Sequence, residues 1–162
     1  MRNLSELLDL HHDLEEIFFA HQCKLLHYEF DEAFLLLEEY EKSLSKHIYD
    51  EHTHLLPIYA ERGEIAKGGA VQMFYDEHEK LLNHIVLFKE ETAKLKQEQD
   101  LDRRLIWLLE REAFFKKLCD HHDIRETNYL YPQLDRITSD AEKLELLSKV
   151  TCKFAASNNA KF

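Results

Sequence analysis

His47-Ile48-Tyr49-Asp50-Glu51-His52-Thr53-His54-Leu55-Leu56-Pro57 and His122-Asp123-Ile124-Arg125-Glu126-Thr127-Asn128-Tyr129-Leu130-Tyr131-Pro132 share one pattern, H-x-x-x-E-x-x-x-L-x-P. They end on the only two prolines of the chain. In a helix, residues four apart project from one face, one turn from each other. A nitrogen and an oxygen ligand so placed can grip one metal ion or span two. Two such segments in one chain point to a site with two metals.

The surrounding composition is that of long helices. Among 162 residues there are only three glycines, and a chain of this length suffices for one domain with a real core. The scarcity of turn formers predicts few, long helical segments. A net charge of −11 argues against nucleic acid or anionic membrane surfaces as partners. No apolar run approaches membrane-spanning length, and no basic stretch leads into an apolar one at the N-terminus. Cys23, Cys119 and Cys152 are odd in number and widely spaced, which suits a reduced, cytoplasmic setting.

Apolar periodicity and breakers predict five segments. The first runs from about Leu4 to His27. The second starts near Asp31, bends or ends at Pro57 and stops by Gly63. After a glycine-rich loop, a third runs from about Ala70 to Gln97 and a fourth from about Asp102 to Arg136. Ser139 and Glu142 form a capping-box pattern that opens a short fifth helix reaching about residue 156, followed by a polar tail from Ser157. Short connections between four long helices predict an all-α, antiparallel up-down-up-down four-helix bundle, with the bundle over about 4–137 in a single domain.

The register gathers one histidine per helix. His11 lies 16 residues before His27, and His47 lies 16 after Asp31. His78 lies 19 residues before Gln97, and His122 lies 20 after Asp102. His11, His47, His78 and His122 therefore fall in one layer, with Glu51 and Glu126 a turn further on. Such a polar layer costs several kcal/mol of desolvation unless compensated, and metal ions compensate it. His122 shares its stripe with Phe115, Leu118 and Tyr129, whereas His121 lines up with Lys117, Arg125 and Asn128 on a solvent face. His12 likewise faces acids, and His11 faces leucines. His54 is expected to be partly exposed, and His21, His27, His52 and His84 to be surface or packing residues. Glu77 is expected to be a solvated acid. Tyr49, Tyr75 and Tyr129 are candidates to lie near the layer, and Cys119 is expected to be a buried thiol.

Imidazole with carboxylate suits iron or manganese, and also zinc. Six protein ligands shared by two ions leave positions open. Two adjacent ferrous ions can each give one electron, which reduces bound O₂ to peroxide or takes up NO.

With these residues in place, the chain resembles the hemerythrin-like, or HHE cation-binding, family. The matching pattern is H…H-x-x-x-E…H…H-x-x-x-E, filled by His11, His47, Glu51, His78, His122 and Glu126. The resemblance implies a non-heme di-iron centre with oxo or hydroxo and carboxylate bridges, iron being favoured over manganese or zinc. It implies O₂, NO or peroxide as the small ligand, bound or sensed, with a separate redox or sensor protein as partner. The sequence departs from the oxygen-carrying members, which have H-x-x-x-H on the third helix and H-x-x-x-x-D on the fourth. Here Leu82 follows His78 by four residues, so one imidazole is missing. Four histidines and two glutamates look more like stress-response members. Alternatives within that resemblance are an enzyme handling peroxide or NO, and an iron donor or iron–sulfur repair factor. The repair proteins usually carry an extra N-terminal cysteine-containing domain, for which the stretch before His11 leaves no room. A ferritin-like oxidase needs two E-x-x-H motifs, and only Glu51-His52-Thr53-His54 fits.

Overall fold

The computed structural model describes residues 3–150, and every regular element among them is helical. A 3-10 turn, Leu4–Leu8, leads into α1, Asp9–Leu26. α2, Phe30–Asp50, passes through a π-helical turn, Glu51–Leu55, into α3, Leu56–Arg62. A 3-10 turn, Lys67–Gly69, precedes α4, Val71–Lys94, which tightens over Leu95–Gln97. α5, Leu101–Arg125, passes through a second π turn, Glu126–Leu130, into α6, Tyr131–Ile137. α7 is the shorter last helix, Asp140–Val150. Cys152, the expected end of that helix near 156 and the tail from Ser157 lie outside the described residues.

The π turns are where the structure departs from the sequence expectation of a plain helix through Arg136 and a bend at Pro57. Both start at the glutamate of the repeated motif and end just before its proline. Proline lacks an N–H, and its ring collides with the carbonyl four residues back in a regular α-helix. A wider turn relieves both problems, and such turns are frequent at functional sites.

The turns between helices also have local causes. α1 ends with Tyr28 in the left-handed region, φ 58°. There Tyr28 N–H donates to Leu25 O at 3.1 Å and Glu29 N–H to Lys24 O at 3.0 Å, which satisfies two end carbonyls and reverses the chain. The expected capping box forms before α7: Ser139 N–H donates to Glu142 Oε2 at 2.8 Å, and Glu142 N–H to Ser139 Oγ at 3.3 Å.

α1 packs on α2, α2 on α4, α4 on α5, and α5 on α1. Two apolar cores lie along them. One gathers Leu14, Phe18, Leu44, Leu81, Phe88 and Phe115; the other gathers Leu7, Leu55, Tyr59, Phe74, Leu130 and Leu147. Burying each such side chain contributes roughly 1.5–3 kcal/mol. In sequence the cores are divided at the same place on every long helix: between Leu7 and Leu14, Ile48 and Leu55, Phe74 and Leu81, and Phe115 and Leu130. His11, Glu51, His78, His122 and Glu126 fall in those four gaps, and His47 stands at the edge of the second, beside Ile48.

Candidate metal centre

His47, His78, His122, Glu51 and Glu126 are buried, and the His11 side chain is only 11% exposed. The six residues converge in two groups. Glu51, His78, His122 and Glu126 bring one ligand atom each to within 4.8 Å of one another; so do His11, His47 and Glu126. Glu126 belongs to both. Its Oε1 lies 2.8 Å from His122 Nε2, and its Oε2 lies 3.0 Å from His11 Nε2. Glu51 is oriented similarly, with Oε2 3.1 Å from His78 Nε2 and Oε1 3.5 Å from His47 Nε2.

The outer nitrogens decide what the inner ones present. His11 Nδ1 faces Asp123 Oδ1 at 3.1 Å, and His122 Nδ1 faces Glu77 Oε2 at 2.9 Å. An ionised carboxylate only accepts, so Nδ1–H donates outward in these rings and Nε2 is the atom left to face an ion. His78 Nδ1 pairs with His52 Nε2 at 2.8 Å. The inner Nε2 atoms crowd one another, at 3.0 Å for His11 and His47 and 3.1 Å for His78 and His122. Glu51 Oε2 and both oxygens of Glu126 are buried and accept no hydrogen bond. A buried acceptor without a donor costs about 1–3 kcal/mol, more when charged. Lone pairs and anionic oxygens facing one another at these distances fit a cation between them. The donor set therefore fits bound metal: His11, His47 and Glu126 form one candidate group and Glu51, His78, His122 and Glu126 another.

With protons in place of ions, the same field perturbs the titrating groups. Burial pushes His11, His78 and His122 down, but Glu126 and Glu51 outweigh it and raise all three, His122 most clearly. Burial wins at His47, which is held low. Burial also pushes Glu126 up, but the surrounding imidazoles overcome it and hold this carboxyl well below the usual range. Burial raises the Asp123 carboxyl to about 6.

Several supporting residues were placed differently by the sequence expectations. Glu77 is no solvated acid: it accepts from Arg125 Nε at 2.7 Å as well as contacting His122. His52 backs His78 and packs against Tyr75 with ring centroids 4.4 Å apart, a role beyond general packing. Tyr131, not singled out among the tyrosines, is fully buried and donates to Glu51 Oε1 at 2.7 Å. Tyr49 is 60% exposed, away from the buried cluster. Tyr129 packs on Gly68 and Gly69, and His54 is half-buried and in neither group. His121 is exposed while His122 is buried, as their stripes predict. Cys119 is largely buried; burial pushes its thiol to about 12, which keeps it protonated. His21 is fully buried and pairs with the buried Glu112 at 2.7 Å, a second polar pair outside the centre.

Compared with known proteins, the chain matches no family model, no curated protein and no solved structure. Among the described residues no helix is long and apolar enough to cross a membrane.

Proposed function

We propose that the chain is a hemerythrin-like, non-heme di-iron protein that binds or senses O₂ or NO. The observation that carries this reading is Glu126, fully buried, with its two unpartnered oxygens turned to different histidine pairs. The antiparallel up-down-up-down arrangement is part of the same proposal. It is supported by contacts between helix ends: Tyr28, after α1, donates to Asp102 at the start of α5 at 3.2 Å, and Lys96, after α4, pairs with Asp31 at the start of α2.

Iron is favoured by the resemblance to the hemerythrin-like family, and ligation by imidazole with carboxylate is compatible with it. When bound, adjacent ferrous ions supply two electrons and open coordination positions. The chain's own residues do the rest. Asp123 and Glu77 orient His11 and His122, which raises their basicity as ligands. Tyr131 holds Glu51 in place; burial first, then Glu51, raises its phenol well above the usual range, so it remains a donor. The apolar cores on both sides restrict water around the layer.

A second reading, an enzyme that consumes peroxide or NO, draws on one observation: a cavity borders His11, His47 and His122. Anaerobic loading with ferrous ion, followed by exposure to O₂ or NO, tests both. A stoichiometric absorbance change that persists and reverses on deoxygenation supports binding. Continuous consumption of peroxide or NO supports the enzyme. No change on exposure, with two irons bound, contradicts both.

A further inference from the structure

A cavity of about 210 Å³ lies beside the centre. Its inner end is formed by the buried rings of His47 and His122 together with His11, and its mouth by Glu15, Phe19, Gln22 and Lys116, which are exposed or half-buried. Between them the wall is apolar, built from Leu14, Phe18, Leu44, Leu81 and Phe115, with the buried Tyr40.

The size is informative. A diatomic molecule is similar in size to water, which occupies about 30 Å³ in the liquid. An apolar cavity of about 150 Å³ is enough for benzene, whereas pockets for drug-sized ligands begin near 300 Å³. The space is thus generous for O₂ or NO and sufficient for one six-membered ring, and a larger molecule would extend out through the mouth. The wall chemistry narrows the class further. Phe18 and Phe115 have centroids 5.2 Å apart, and Phe18 and Tyr40 5.4 Å apart in an edge-on arrangement. Such a cluster offers ring faces and edges to another aromatic group. The polar groups toward the buried end are the histidines, with Asp123 beside His11 and Cys119 beside Tyr40.

We propose that this cavity binds one small aromatic molecule bearing a single oxygen substituent, with its ring among Phe18, Tyr40 and Phe115 and its oxygen toward His11 and His47. The ring site follows from the wall residues alone; only the partner of the oxygen rests on the metal reading.

Benzene and phenol serve as probes, titrated into the full chain by calorimetry and amide NMR, with metal content measured separately on the same sample. Saturable one-site binding of both is expected, with phenol at least tenfold tighter. Leu44→Phe and Leu81→Phe, each filling the wall while leaving every proposed ligand residue in place, are expected to weaken both probes at least tenfold while metal content and helicity stay unchanged. If one variant does not fold, the other carries the test. No saturable binding, or binding that survives filling in a folded variant, overturns the ring site. Equal affinity for benzene and phenol overturns the placement of the oxygen. Because benzene binding is read independently of metal content, loss of the di-iron reading leaves the ring test intact.

Discussion

Glu126 sits where a carboxylate is hardest to keep: buried, with both oxygens lacking a hydrogen-bond donor. Ions are the compensation the account gives it, so single residues should matter in a defined order. His122→Ala should abolish metal binding, while His121→Ala, on the exposed neighbour, should leave metal content unchanged. Glu77→Gln keeps every ligand but weakens the hold on His122 Nδ1; a loss of about 10–100-fold in metal affinity is expected, measured by chelator competition. The His21–Glu112 pair makes a separate prediction. His21 Nδ1 donates to Ala33 O at 2.8 Å and Gln22 Nε2 to Glu112 Oε2 at 3.0 Å, so the pair ties α1 to α2 and α5. Glu112→Leu should cost about 3–5 kcal/mol in urea unfolding by leaving the imidazole buried without its partner, and adding His21→Leu should recover much of it. At this scale the convergence of the six motif residues was legible, because two four-residue spacings and one histidine per helix require no knowledge of side-chain contacts. Glu77 and Tyr131 were not legible. Each reaches across to another helix, and an acid beside a ligand or a tyrosine on an apolar stripe carries no signal of that in sequence.

The π turns set how the helices continue beyond the ligands. Each starts at a motif glutamate and ends before a proline, so the wider turn shifts the face that α3 and α6 present. The prolines were visible in the sequence, but a bend, a stop and a π turn all satisfy a missing N–H, and only packing chooses among them. The loop after α3 is held close to the second turn. Tyr59 donates to Gly69 O at 2.7 Å, and Arg125, which also holds Glu77, donates to Gly68 O. A Cβ on Gly69 would lie 2.6 Å from Tyr59 Oη and 2.9 Å from Tyr129 Cβ. Gly69→Ala should therefore destabilise the protein by about 1–3 kcal/mol, the usual scale of overpacking, measured by thermal or urea unfolding.

Across the whole molecule, the proposed metal ions would compete with protons for one polar layer between two apolar cores. In the metal-free protein, His11, His78 and His122 have raised folded pKa values. Their contribution to stability is complete below their unfolded pKa near 6.5 and is lost as pH rises through the folded values. Asp123, raised to about 6, adds a loss in the same direction between its unfolded value near 4 and pH 6. Glu126 acts oppositely, being lowered: its contribution is lost only as pH falls through its low folded value. Metal-free protein should therefore lose stability as pH rises above about 6.5. Metal-loaded protein should gain over the same range, because ions displace protons from the ligands. Urea unfolding at a series of pH values, with and without metal, checks the crossing. Whether two ions share Glu126 is decided by metal content per chain in the purified protein and in Glu126→Gln. Two irons per chain are expected, falling below one in the variant with helicity retained. No metal, a single zinc, or two irons retained in Glu126→Gln would contradict that sharing.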